Sequence, residues 1–222
     1  MKKKILAVML TAAIVLTACC SCDSHEAETT LAETDGPVRH GNYITFGHYE
    51  QDEDESNGPE PVDWIILSEE DGRMLVISRY ILDWQPYNTE MTDVTWETCS
   101  IRKWLNEDFI NAAFSASEQE QILTVTNTNP GNENPWGIAD GGNDTEDKIF
   151  LLSSDEADLY FDNDDERAVD KCDWWWLRSP GYINNRASVV LTIGEIYRHG
   201  HIVSFNHHDH GVRPAFWLEI DT

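Results

Sequence analysis

The sequence predicts a single α+β domain, and three observations carry that prediction. Short apolar runs with strand-like alternation follow residue 40, helical periodicity with capping signals fills the middle, and the last third is β-like again. Strands, then helices, then strands within one domain's length of chain point to an α+β arrangement. Nine tryptophans among 222 residues supply enough apolar area for a substantial core.

The elements follow in order. Asn42-Tyr43-Ile44-Thr45-Phe46-Gly47 alternates like a strand. Val62 to Leu67 and Arg73 to Ser78 are two more strands, joined by Glu69-Glu70-Asp71-Gly72; Asp-Gly between apolar runs is a strong hairpin signal. Tyr80 to Asp93 is irregular and aromatic, an ordered loop. A helix begins near Ser100, because Ile101, Trp104, Leu105, Phe109, Ala112 and Ala113 share one face at helical spacing. Ser115-Ala116-Ser117-Glu118 reads as a capping box opening a short helix toward Ile122 and Leu123.

The stretch from Thr126 to Asp147 is rich in Asn, Gly and Pro. A connection that long is usually functional, or pinned by its own hydrogen bonds. Within it, Gly141-Gly142-Asn143-Asp144-Thr145 reads as an Asn/Asp-rich turn rather than an anion nest. Lys148 to Ser153 is a buried strand, and Ser153-Ser154-Asp155-Glu156 caps a third helix toward Tyr160. The C-terminal strands are Trp174–Arg178, Ala187–Thr192, Glu195–Ser204 and Val212–Ile220, with turns at Pro180-Gly181, Ile193-Gly194 and Asn206–Gly211.

The first 22 residues are a targeting segment. Lys2, Lys3 and Lys4 precede an apolar run from Ile5 to Leu16, well short of the roughly 20 residues that span a bilayer. Leu16-Thr17-Ala18-Cys19 matches a bacterial lipobox, so cleavage before Cys19 and lipidation of that cysteine are expected. Residues 1–18 are then the signal peptide, 19–40 the lipidated cysteine and an acidic flexible linker, and 41–222 the domain. Cys20 and Cys22 belong to the tether. Acyl chains would hold the protein on the outer side of the bacterial membrane, in the cell envelope.

The formal net charge of −26 excludes electrostatic tracking of nucleic acid or anionic lipid. Asp52-Glu53-Asp54-Glu55 reads as a solvated loop, and Asp162-Asn163-Asp164-Asp165-Glu166 lacks the glycine and spaced glutamate of an EF-hand. Cys99 and Cys172 remain in the domain; export permits a disulfide between them, and spacing alone does not decide it.

The most informative stretch is Asp173 to Pro214, where stiff aromatic strands frame Asn-, His- and Tyr-rich turns, the usual layout of a recognition surface. Strand side chains alternate, so either the outer pair of Trp174, Trp175 and Trp176 enters the core or the middle one does; the outer pair, Trp174 and Trp176, is taken as scaffold. Arg178 and Arg213 are scaffold too, held by carboxylates or backbone carbonyls, as is Trp104.

The candidate ligand surface is Tyr182, Asn184, Asn185, Arg186, Tyr197, Arg198, Asn206, His207 and His208. An alternative use is metal binding. His199 and His201 share a strand face, and His208 and His210 approach from the next strand or its turn, a nitrogen-ligand set suited to a transition metal. No Ser-His-Asp order, phosphate-cradling glycine loop or metalloprotease helix motif occurs. No catalytic residue is therefore assigned, and a transition metal is the one cofactor the sequence offers.

Four motifs carry a family resemblance. Trp96-Glu-Thr-Cys-Ser-Ile-Arg-Lys-Trp-Leu-Asn106, Asp147-Lys-Ile-Phe-Leu-Leu-Ser153, Trp174-Trp-Trp-Leu-Arg-Ser-Pro-Gly181 and Gly211-Val-Arg-Pro-Ala215 resemble the bacterial domain-of-unknown-function family numbered 6273. That family occurs in secreted and lipid-anchored proteins, and the likeness runs from about Tyr43 to Leu218. More distantly, the closing segment is similar to the C-type-lectin-like and formylglycine-generating-enzyme-like group. There a Trp-containing strand and a closing Gly-x-Arg-x-Ala strand bracket a display region that binds sugars, peptides or proteins. The resemblance implies a C-type-lectin-like fold with a long C-terminal display segment. Catalytic members of that group use paired reactive cysteines, and Cys172 has no neighbouring cysteine.

The resulting expectation is a lipid-anchored binding module, without catalysis, that recognises an extracellular glycan, peptide or protein through its C-terminal loops. A metal-binding protein and a structural envelope protein without a small ligand are the alternatives.

Overall fold

A computed structural model describes residues 36–135, 137–169, 174–205 and 210–220. β1 (Val38–His40), β2 (Tyr43–Tyr49), β3 (Glu60–Glu70) and β4 (Arg73–Ser78) form an antiparallel meander. Strand pairing thus begins at Val38, inside the stretch expected to be linker. The β3–β4 turn places Asp71 and Gly72 at φ of 49° and 77°, the left-handed pair that a type I′ hairpin requires. On β3, Val62 and Trp64 are buried, and the Trp64 indole donates to the Phe46 carbonyl at 2.7 Å.

The central helix differs from a regular one. α1 (Ser100–Trp104) runs into a π-helical turn at Leu105–Phe109 and then α2 (Ile110–Ala113). The buried face is Ile101, Leu105, Phe109, Ile110 and Ala113; Trp104 is only half-buried and Ala112 is exposed. A π turn widens the helical repeat by a residue, so the apolar stripe rotates and Ile110 takes the inward place expected for Ala112. α3 (Ala116–Gln121) opens on a complete capping box between Ser115 and Glu118.

The stretch from Val125 to Asp147 folds as nested ladders. β5 (Val125–Asn127) pairs with β8 (Thr145–Asp147), and between them β6 (Asn132–Asn134) pairs with β7 (Gly137–Ala139). α4 (Ser154–Tyr160) begins with a second capping box, Ser153 with Glu156. α5 (Asp164–Arg167) starts at Asn163, whose side chain accepts from the Glu166 amide at 3.1 Å. The acidic run considered for calcium is therefore a helix start, and Glu166 spends its carboxylate on the Asp162 amide and the Asn163 side chain.

β9 (Trp174–Pro180), β10 (Arg186–Leu191), β11 (Ile196–Ile202) and β12 (His210–Gly211) form a second sheet in the order β11-β10-β9-β12, with β12 parallel to β9. The last strand, β13 (Ala215–Glu219), leaves that sheet and pairs antiparallel with β4, giving the first sheet the order β1-β2-β3-β4-β13. The expected single strand Val212–Ile220 is thus divided. Val212 bridges Asp83, and the Arg213 side chain turns inward to the Ser78 carbonyl before pairing resumes at Ala215. The fold is mixed α+β with mostly antiparallel strands, and one apolar core draws on both sheets.

Lys148 to Ser153 is the unusual segment. Ile149, Phe150, Leu151 and Leu152 are buried, as a core strand should be. Among the described residues, however, its only ladder contact is the Phe150–Ala215 bridge. Buried backbone groups must find partners, and here side chains supply several of them. Asn106, on the π turn, accepts from the Lys148 and Ile149 amides at 3.0 and 3.1 Å and donates to the Ile149 carbonyl at 2.8 Å. The Arg178 guanidinium donates to the Leu151 carbonyl at 2.9 Å, and the Arg178 amide to the Leu152 carbonyl at 2.9 Å.

Truncating Asn106 removes the partner of three backbone groups at once, two on the buried Ile149 and one on the half-buried Lys148. At about 1–3 kcal/mol for each unsatisfied group, partly relieved by water, Asn106→Ala should destabilise the chain by roughly 3–5 kcal/mol. Urea unfolding of the full chain measures this, and a loss below about 1 kcal/mol would contradict the assigned role.

Candidate binding surface

The surface rests on β9. Trp175 and Trp176 are both buried and Trp174 is half-buried against the core, so the expected alternation, in which either the outer pair or the middle one enters the core, does not hold. β9 is an inner strand with both faces covered, so side chains of either parity are enclosed. The Trp175 indole donates to the Arg167 carbonyl at 3.1 Å, and the Trp176 indole to the Gln85 carbonyl at 3.0 Å.

Arg178 grips Glu156 with both guanidinium nitrogens, the second at 2.7 Å, and the same Glu156 carboxylate caps α4 through the Ser153 amide at 2.8 Å. Arg213 is wholly buried. Its guanidinium donates twice to the Ser78 carbonyl, at 3.0 and 2.9 Å, and lies between the rings of Trp175 and Phe161 at 4.8 and 5.7 Å. Burial lowers its pKa to about 9. A third charge, Asp147, is buried with four donors: Trp96 at 3.0 Å, Arg102 at 2.6 Å, Asn127 at 2.9 Å and Thr145 at 2.7 Å. Together these charges tie the helical middle, the 148–153 segment and β9 into one frame.

Several residues expected to face a ligand also make bonds within the chain. The Asn184 side chain exchanges two hydrogen bonds with the Asp140 backbone, at 3.2 and 2.8 Å, and its carbonyl accepts from the Val94 amide at 2.9 Å. The Asn185 carbonyl accepts from the Val203 amide at 3.1 Å. Arg186 donates to the Gly200 carbonyl at 2.9 Å and covers the Tyr182 ring at 5.2 Å. Arg198 pairs with Asp155 at 2.8 Å. These polar groups lock loops together, as turn Asn and forked Arg side chains commonly do.

Beside the exposed Arg198 runs an aromatic strip. Tyr182 lies 6.0 Å from His199, His199 stacks on Tyr197 at 5.5 Å, Tyr197 lies 5.8 Å from His201, and His201 meets Phe205 edge-on at 6.5 Å (ring centroids). Tyr182, Tyr197 and His201 are half-buried, while His199 and Phe205 are exposed. The strip continues inward through Trp174, 3.7 Å from His201, and His210, 4.7 Å from Trp176. Tyr197, His199 and His201 alternate along β11, which places them on one face.

Two residues that hold the strip in place escaped the sequence reading. Asn132 donates to the carbonyls of Pro180, Gly181 and Arg198 at 3.2, 3.0 and 2.9 Å, and Asn134 to the Tyr182 carbonyl at 3.0 Å. Their signal was the Asn-rich composition of the long connection, which did not say what they would reach.

The model of the family described as a domain of unknown function, DUF6273, matches residues 71–220. The chain belongs to this family. No curated protein and no solved structure matches it. The matched span contains all four motifs quoted above, and they clasp one another. Trp96, Arg102 and Asn106 hold Asp147, Lys148 and Ile149; Ser153 and Ser154 meet Arg178 and Ser179 through Glu156 and a 3.0 Å bond; Arg213 packs on Trp175. In this DUF6273 chain the motifs are the frame, and the aromatic strip lies between them.

The other assignments divide. Among the described residues no three histidines bring ligand atoms together; the one acidic grouping is Glu50, Asp52 and Glu60, far along the chain from the strip. His201 and His210 lie 5.3 Å apart (ring centroids), and His199, His201 and His210 also make ring contacts with Tyr182, Tyr197, Trp174 and Trp176. Burial, then Arg186, lowers the pKa of His201. Asn206, His207, His208, Cys172 and the lipidation candidate Cys19 lie outside the described residues. Cys99 is a buried free thiol that donates to the Trp96 carbonyl at 3.2 Å, and burial pushes its pKa up to about 12. It stays protonated and unreactive at neutral pH.

Proposed function

We propose that this DUF6273 chain is a lipid-anchored binding module of the cell envelope that recognises an extracellular glycan, peptide or protein through the strip from Tyr182 to Phe205, without catalysis. The single observation that carries the reading is the continuity of that strip. Five rings follow one another at centroid distances of 5.5–6.5 Å along one edge strand and its neighbouring loop. Tyr and His rings offer rigid amphipathic area with polar tips at low entropic cost, and the loops behind them are fixed by Asn132, Asn134 and Asn184. A pre-ordered surface avoids part of the ordering cost of binding.

The proposed C-type-lectin-like relationship fits the same reading. β9 and β12, which carry parts of the Trp174–Gly181 and Gly211–Ala215 motifs, run side by side, and the strip from Tyr182 to Phe205 falls between them in the chain. Anchoring through Cys19 rests on the Leu16-Thr17-Ala18-Cys19 motif, and places the module at the membrane surface.

Binding of the full chain to glycan and peptide arrays should single out a ligand whose affinity falls roughly tenfold or more in the Tyr182→Ala/Tyr197→Ala double variant. The unfolding midpoint should stay close to the parent's. A ligand bound equally by both proteins would move the site elsewhere. For the anchor, Cys19→Ser should shift the protein from the membrane to the soluble fraction of the producing bacterium; an unchanged membrane fraction would refute lipidation at Cys19.

A further inference from the structure

We infer that the chain carries a second binding site, separate from the aromatic strip, in the cleft bounded by β4, β5, the 148–153 segment, α4 and β13, and that it takes a neutral saccharide ring. The cleft encloses about 400 Å³, within the range of roughly 300–1,000 Å³ typical of small-molecule sites. It shares no residue with the strip.

Its chemistry is mixed in a particular way. Leu75 and Phe150 form a buried apolar floor, and the half-buried rings of Trp217 and Tyr160 form walls. The Arg73 guanidinium lies 4.2 Å over the Trp217 ring, which holds both in place. Arg73, Glu156, Thr124, Thr126 and Asn127 supply the polar lining, the Thr126 hydroxyl already donating to Glu146.

The charges in the cleft are already balanced. Arg73 pairs with Glu70 at 2.8 Å, and Glu156 pairs with Arg178. A cation would have to displace the buried Arg178 from Glu156, which is costly, and an anion would meet a chain of net charge −26 with only the partly exposed Arg73 to receive it. A neutral ligand meets no such penalty.

Capacity for hydrogen bonds remains. The Glu156 carboxylate accepts from two Arg178 nitrogens and from the Ser153 amide, three of its roughly four lone-pair sites. Tyr160 keeps its proton, because burial, then the nearby Glu156 and Glu70, raise its pKa further. A carboxylate acceptor, a phenol donor and a guanidinium beside an apolar floor and an aromatic wall match a ring with one apolar face and hydroxyls on its edge. A pyranose is the ligand class with that distribution.

The test is saturation-transfer NMR and calorimetry on the full chain with glucose, galactose, mannose and N-acetylglucosamine, and with galacturonate and glucosamine as charged counterparts. At least one neutral sugar should bind at millimolar concentration. Its affinity should fall roughly three- to tenfold in Tyr160→Phe, which removes one hydroxyl without opening a cavity. Trp217→Ala should abolish binding, while Tyr182→Ala/Tyr197→Ala should leave it unchanged, so this site stands or falls apart from the strip. No neutral sugar bound up to about 50 mM, stronger binding of a charged counterpart, or full affinity in Tyr160→Phe and Trp217→Ala together would overturn the inference.

Discussion

A buried extended segment with almost no sheet around it is the constraint on which the structure depends. Residues 149–152 are all in the core, yet among the described residues their one ladder bridge joins Phe150 to Ala215. A strand in that position would normally satisfy its peptide groups along two neighbours. This one relies on the amide of Asn106 on one side and on Arg178 on the other. The π turn that carries Asn106 is the local cost of aiming a helical side chain at a strand backbone; such turns recur where a helix must present one residue out of register. The family motifs follow from this constraint, because Asn106, the 148–153 segment and Arg178 fall in three of them.

Buried charges close the frame at both ends of the segment. Asp147 collects four donors before it, and Glu156 receives Arg178 and the α4 cap after it. Breaking such a pair by removing one partner typically costs about 3–5 kcal/mol, although the pair itself adds little beyond what an apolar substitute would. Their role is therefore positional: they specify one register for the helical middle, the segment and β9. Once β9 is fixed, the loops beside it are fixed as well, through Asn132 and Asn134. The aromatic strip sits on this frame without supplying its key bonds, whereas the β4–β13 cleft shares Glu156 and Asn127 with it.

The parts of the fold legible in the sequence were those set by local chemistry. Asp71-Gly72 marked its hairpin because φ > 0 at two successive positions demands such residues. Ser115 with Glu118 and Ser153 with Glu156 marked helix starts because the capping box is a four-residue device. The illegible parts were set by distant partners. Nothing near Asn106 announces that its amide will serve a backbone more than forty positions along the chain. Trp175 and Trp176 are both enclosed because Arg167 and Arg213 pack on the one and Gln85 and Tyr87 on the other, which alternation alone does not reveal. Asn184, Arg186 and Arg198 have the composition of a recognition loop and the bonds of a scaffold. The rings of Tyr182 and Tyr197 kept their outward place because their contacts are side-chain stacking within the surface itself.

The central claim is that the 148–153 segment is held as firmly as a sheet strand by side chains alone on its helix-facing side. Native-state hydrogen exchange at the Ile149 amide of the full chain tests this most directly. The account predicts exchange only through global unfolding, at the same free energy as the Trp176 amide in β9. Exchange at Ile149 through local opening, at a rate typical of exposed loops, would contradict it.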